Sequence, residues 1–376
     1  MNEHIGHDKA FASKEFPEPE PVPNKNVYLK ELEKSLNYSK KRRDNYEKFI
    51  KANRRKEIAD YLPIRMDFEN VSRCNFRCIM CQVSDWQKGK RASDMSFDDF
   101  KKLIDEQYGL VEIKIQGMGE PTMQGEDYFK MIRYARSRQI WVRTVTNGSL
   151  LHLKNNYKKL VDSGVNEIQI SIDGADAQTF ENIREGSNFE KVRSNCKLIN
   201  DYCEEKNVER TKMWVVVQKS NSHQLDDLVD LGYNLGFKNI VFSLELVDWG
   251  QSDWKERNSK LSIGKTINTD RIYSLVEKGQ KLGIKVRWWR QTQKYNSKSP
   301  EHLCPWPFER VYISSDMRVV ACCVIGNPEV SDLGNALEFS KLWNGKTMKD
   351  FRSQHLSGNI PDYCKPCYIN TTRNNK

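Results

Sequence analysis

The sequence lacks any apolar run long enough to span a bilayer. Its polar first residues also lack the apolar stretch a secretory signal needs. Both absences lead to the expectation of a cytoplasmic protein with no membrane partner. In that reducing compartment the ten cysteines are not expected to pair as disulfides. Those that cluster are candidates for metal ligation or catalysis. Acidic residues are in the minority: 61 Lys and Arg face 51 Asp and Glu, a formal net charge of +10. Such an excess can serve an anionic partner. Much of it, however, falls at helical spacing among Lys40, Lys41, Arg42, Arg43, Lys48, Lys51, Arg54, Arg55 and Lys56, interleaved with Tyr46, Phe49 and Ile50. That pattern reads as the solvated face of a helix rather than a nucleic-acid site. No short repeat and no clear peptide-recognition domain stand out.

The 376 residues allow one large domain plus a smaller one. Residues 1–24 read as disordered, with a Pro/Glu linker over Phe16–Pro23. Residues 25–60 read as a basic helical extension. Short β-rich runs then alternate with helical stretches. Strands are expected at 64–70, 110–116, 140–146, 167–172, 212–217 and 239–245. Helices are expected near 97–107, 125–138, 151–163, 176–203 and 222–235. Ser96 with Asp99 caps the first of these, and Gly164 and Gly236 read as helix stops. This alternation predicts an α/β fold with a parallel sheet. Six units make a partial (β/α)6 barrel of the TIM type over 61–295, with its chemistry on loops at the C-terminal strand ends. Residues 296–376 change to cysteines, prolines and turns. There a hairpin is expected at 309–322, turning at Ser315–Met317, in a small metal-stabilised module.

Cys74, Cys78 and Cys81 follow directly on the first expected strand. Thiolates are the preferred ligands of iron–sulfur clusters. Three of them hold three irons of a cubane and leave the fourth open. A structural zinc would want a fourth ligand, and none is close in sequence. The CxxxCxxC run resembles the hallmark of the radical S-adenosylmethionine (SAM) superfamily. That resemblance implies a 4Fe–4S cluster on Cys74, Cys78 and Cys81, with SAM on the open iron and Met80 near its adenine. Gly117-Met118-Gly119-Glu120-Pro121 resembles the GGEP motif of the same family, which would hold the SAM amino group. Thr146-Asn147-Gly148 resembles its ribose turn. Ser171-Ile172-Asp173-Gly174, followed by Arg184, resembles a pattern in which Ser171 and Arg184 grip the SAM carboxylate and Asp173 faces the ribose. The resemblance covers about residues 60–250.

A second set comprises Cys304, Cys322, Cys323, Cys364 and Cys367. It resembles the SPASM and twitch modules appended to many such barrels, with Met317 where they carry a Gly. No cysteine follows Cys367, so one auxiliary 4Fe–4S cluster is expected, on Cys304, Cys322, Cys364 and Cys367. The alternative for these four is a structural zinc. Cys323 is then spare and expected in the core, on the opposite side of a strand from Cys322. Cys196 and Cys203, on a helix, read as buried apolar residues.

The family resemblance implies reductive cleavage of SAM to a 5′-deoxyadenosyl radical, which takes a hydrogen atom from substrate. Flavodoxin or ferredoxin would supply the electron. Oxidation, dehydration and epimerisation all stay open as outcomes. Trp86, Trp249, Trp254, Trp288, Trp289 and Trp306 can stack on sugars or aromatic rings, while His302 and Glu309 flank Cys304 as acid or base candidates. The substrate is expected to be a small carbohydrate- or cyclitol-type molecule. Two alternatives are a maturase acting on a ribosomally made peptide and, from another class, a zinc-dependent nucleic-acid-binding protein.

Overall fold

A computed structural model describes residues 21–52, 56–264, 269–290, 294–298 and 300–369. Two helices come first, α1 (Lys25–Asn37) and α2 (Lys40–Ala52). The Asn24 side chain caps α1 by accepting from Val27 N–H. Most of the basic residues of α2 are exposed, as the sequence suggests; Arg54 and Arg55 lie outside the described residues. Arg42 departs from that pattern. It is buried and donates to the backbone carbonyls of Ser35, Tyr108 and Arg138, so it fastens the helical pair to the barrel.

All six expected strands form: β1 (Arg65–Phe68), β2 (Glu112–Ile115), β3 (Trp141–Thr146), β4 (Glu167–Ser171), β5 (Thr211–Val216) and β6 (Asn239–Ser243). They pair in parallel in that order. Further along the chain, β7 (Lys285–Trp289) adds in parallel to β6, and β8 (Arg310–Ile313) adds in parallel to β1. The antiparallel β9 (Arg318–Val320) and β10 (Gly334–Asn335) complete the sheet beyond β8. The expected hairpin is therefore also a barrel strand. The boundary placed at 295/296 cuts through one continuous sheet.

Helices α3 (Phe97–Glu106), α4 (Glu126–Ser137) and α5 (Asn156–Asp162) cover the outer face, with Ser96 accepting from Asp99 N–H at the start of α3. The helix expected over 176–203 is two, α6 (Ala177–Ile183) and α7 (Phe189–Glu205). Between them Gly186 takes a φ of 82°, a turn glycine makes without strain. Asn188 then caps α7. Helices α8 (Leu225–Asn234), α9 (Ser252–Leu261), α10 (Thr269–Lys281) and α11 (Lys346–Ser357) follow. Among the described residues no helix is long and apolar enough to cross a membrane.

Strand alternation divides the side chains cleanly. Ile113, Ile115, Val142, Ile168, Ile170, Met213 and Val215 are buried in the apolar layer with the helices. Arg65, Asp67, Glu112, Lys114, Arg143, Gln169 and Trp214 instead line an interior cavity. An ion-pair network crosses its floor, linking Arg65 to Glu112, Arg143 to Glu112 and Glu167, and Lys212 to Glu167. The chain before α1 closes this end. Val22 is wholly buried and its N–H donates to Glu167 Oε2 at 3.1 Å. Lys285 Nζ donates to the Pro23 carbonyl at 3.0 Å, and the Tyr28 hydroxyl to Glu112 Oε2 at 3.0 Å. Residues 21–24 of the segment expected to be disordered are thus part of the barrel floor; the rest of it, 1–20, lies outside the described residues.

Candidate active site

The loop leaving β1 carries Cys74, Cys78 and Cys81, and neighbouring strand ends hold it in place. Asn147 Nδ2 donates to Asn75 Oδ1 at 3.0 Å, and Asn75 Nδ2 donates to Ser149 Oγ at 2.9 Å. Arg77–Cys78 pair antiparallel with Arg184–Glu185, which is why the chain leaves the helical path after Ile183. The second-strand motif supports the same loop by close approach. A Cβ on Gly119 would stand 2.4 Å from the carbonyl oxygens of Val71 and Arg73, and Glu120 N–H donates to the Arg73 carbonyl at 2.9 Å. Only glycine fits against that backbone.

The three thiols are set among groups that resist their ionisation. Burial pushes Cys74 up, and Cys78 and Glu120 add repulsion. Burial and Cys78 push Cys81 up to about 12. Cys78 is raised by burial too, against the pull of Arg184, whose Nη1 lies 3.9 Å from its sulfur. A nearby positive charge would be needed to offset this and favour the thiolates.

Met80, Gly117, Gly119, Glu120, Asn147, Ser171 and Arg184 all line the cavity. Asp173, expected at the ribose, does not. It is fully buried, accepts from Val216 N–H at 2.7 Å, and pairs with Arg184 Nη2 at 2.7 Å. The ion pair fixes where the guanidinium sits. Glu120 is similarly engaged. Its oxygens accept from Thr122 N–H and hydroxyl, the Thr146 hydroxyl and Asn147 N–H. That leaves the backbone of 117–119 as the motif's open surface.

Cys304, Cys322, Cys364 and Cys367 line the same cavity, which has a volume of about 480 Å³. Burial raises Cys322, and Cys323, Cys364, Cys367 and Cys304 add repulsion, so these thiols lie in one neighbourhood. Cys364 and Cys367 sit on one 3-10 turn, Asp362–Cys367. Met317 holds a φ of 64°, the left-handed conformation for which the module's Gly is suited. Cys323 corrects the sequence reading, because it too faces the cavity. Strand alternation does not reach it: β9 ends at Val320, and a turn carries Cys322 and Cys323. Cys196 and Cys203 are buried in the main core as expected.

Other candidates separate by position. Trp249, Trp289 and Trp306 line the cavity, whereas Trp86, Trp254, Trp288, His302 and Glu309 do not. The sequence reading missed Glu69. Its buried carboxylate pairs with Arg91 at 3.0 Å and accepts from Met118 N–H and Ser315 N–H, while Arg91 also pairs with Asp316 at 2.8 Å. The cysteine loop's end of β1, the Gly-rich turn and the hairpin turn are thereby tied together. Alternation from Arg65 and Asp67 would have placed Glu69 inward. Among the described residues, no three His, Cys, Asp or Glu side chains converge on a single-ion site. Thiols that each take a different iron of a cubane need no such convergence.

The family model for the radical SAM superfamily matches residues 71–232, and that for the SPASM iron–sulfur cluster-binding domain matches 304–368. A tungsten-containing aldehyde ferredoxin oxidoreductase cofactor-modifying protein of Pyrococcus furiosus is 32% identical over 46% of this chain and 49% of its own length. The mycofactocin maturase MftC of Mycolicibacterium smegmatis is 30% identical over 52% of this chain and 48% of its own. The chain thus matches about half the length of these curated relatives. Streptococcus suis SuiB, solved bound to precursor peptide SuiA, superposes with a TM-score of 0.60 at 15% identity, covering 82% of this chain and 70% of that one. At that identity the likeness is one of fold.

Proposed function

This chain belongs to the radical SAM superfamily and carries a SPASM-type iron–sulfur domain, and from that premise we propose that it oxidises a peptide substrate held between two cluster sites. The observation that carries the reading is that both cysteine sets line one cavity. On this reading Cys74, Cys78 and Cys81 hold the SAM-binding 4Fe–4S cluster, and Cys304, Cys322, Cys364 and Cys367 hold an auxiliary one. Bound there, the clusters and SAM supply a 5′-deoxyadenosyl radical for hydrogen-atom removal and an acceptor for the electron left behind.

The chain's own residues bind, orient and exclude water. Arg184, paired with Asp173, offers its guanidinium to the SAM carboxylate beside Ser171. The backbone of Gly117 and Gly119 is left bare for the amino group. Residues 21–28 seal the floor against solvent. Electrons would come from flavodoxin or ferredoxin, in the cytoplasm.

The peptide is favoured over the carbohydrate or cyclitol because the relatives include a maturase and a fold neighbour solved with a precursor peptide. The zinc-dependent nucleic-acid reading leaves the motifs at the ends of the barrel strands unexplained.

Anaerobic purification should give iron and sulfide, with about eight irons per chain for two cubanes. Dithionite and SAM should then yield 5′-deoxyadenosine. Replacing Cys74, Cys78 and Cys81 by Ala should abolish that product and remove about four irons. Zinc without iron sinks the proposal.

A further inference from the structure

We propose that the inner part of the cavity is an anion site, in which Lys114 binds a carboxylate or phosphate group of the substrate. The proposal deepens the reading above, since it takes this cavity to be where substrate sits.

Strand register places the relevant charges at two levels. Arg310, Arg65, Glu112 and Trp141 are cross-strand neighbours at the lower level. Tyr312, Asp67, Lys114, Arg143 and Glu167 are neighbours at the level above. Most of these charges are matched within the protein. Arg65 pairs with Glu112 at 3.4 Å, and Arg143 pairs with Glu112 at 3.4 Å and Glu167 at 3.0 Å. Asp67 Oδ2 accepts from Gln116 Nε2 at 2.7 Å.

Lys114 differs from its neighbours. It lines the cavity, yet among the described residues it makes no hydrogen bond and no ion pair within 4 Å. Its charge is also poorly accommodated. Burial, and then repulsion from Arg143, pull its pKa down to about 8. This ammonium is half-buried and faces the cavity, drawn by Asp67 and Glu167 but touched by neither, so its charge is only partly compensated in the empty fold. Such groups are characteristic of binding sites, where the ligand supplies the missing charge. An anion on Lys114 would restore the balance beside Arg143 and Glu167. In a peptide the group would be an acidic side chain or the terminal carboxylate.

The test uses the full chain with its clusters reconstituted, as wild type, Lys114→Met and Lys114→Arg. Without added ligand, Lys114→Met should unfold at a higher midpoint, by about 2 °C or more. Succinate, inorganic phosphate and the neutral succinamide are then titrated at fixed ionic strength, following the unfolding midpoint. At least one anion should raise the wild-type midpoint, while succinamide should not. The concentration needed should rise tenfold or more in Lys114→Met and stay near wild type in Lys114→Arg. A stronger response to succinate points to a carboxylate, and one to phosphate points to a phosphorylated group. A lowered midpoint in Lys114→Met, equal anion responses of wild type and Lys114→Met, or no wild-type response to either anion overturns the proposal. SAM cleavage by the wild type tests the enzyme reading separately, and the anion titration does not depend on it.

Discussion

The Tyr368 hydroxyl lies 2.6 Å from Nδ1 of His355 while accepting the N–H of Cys304 at 3.1 Å. The pair connects α11 to the first cysteine of the module.

His355 should therefore make stability depend on pH. Burial lowers its pKa from 6.5 to about 4. As pH falls, the unfolded chain takes up this proton before the folded one does. The contribution is complete above about pH 6.5 and is lost as pH falls to about 4, a change on the order of 3 kcal/mol. Denaturant melts of the metal-free protein should show this slope, and His355→Gln should flatten it. Equal slopes in the two proteins would show that His355 does not carry this pH dependence.

Met317 gives a second test. Its left-handed backbone costs roughly 1–2 kcal/mol, yet its side chain is buried in the core. Both Met317→Gly and Met317→Ala forfeit the packing, but only Ala keeps the strain. The Gly variant should be the more stable of the two by about 1 kcal/mol, the reverse of their order in a helix. Urea midpoints decide it.

Gly119→Ala should act on the first site alone. The new Cβ meets backbone, which cannot swing away as a flexible side chain would. The cysteine loop has to move, at a cost of about 1–3 kcal/mol. Iron analysis should show about four irons lost per chain, with the C-terminal set retained. Full iron content in this variant would mean that the loop tolerates the methyl group.

Glu69→Gln should destabilise the whole molecule by about 3 kcal/mol, because Arg91 loses one of its two partners in a buried setting. A double-mutant cycle with Asp316→Asn should return a coupling energy of at least about 0.5 kcal/mol. Additive effects would show that Arg91 does not link the two carboxylates.

The sequence revealed what depends on spacing. The six barrel strands follow from their apolar runs, and the three-cysteine loop and the Gly-rich turn follow from local pattern. Long-range pairing was not legible. Nothing in Glu309–Ser314 says that this strand docks beside β1 rather than standing in a separate module. Alternation misplaced Cys323 because it was carried past the end of β9. Asp173 was expected to touch a cofactor because short-range sequence does not show that a buried arginine further along the chain, Arg184, will claim its carboxylate. Lys114 could have been found, since counting by two along its strand from Glu112 places both inward.

The parallel pairing of β8 with β1 has a consequence during synthesis. The strand bearing the first cysteine loop emerges early, but its edge neighbour is made after every other parallel strand. The wall beside both cysteine sets is therefore completed by a contact of long sequence separation, which costs more loop closure than the neighbouring pairs. Until that last segment is made, the loop bearing Cys74, Cys78 and Cys81 stands beside an unpaired strand edge.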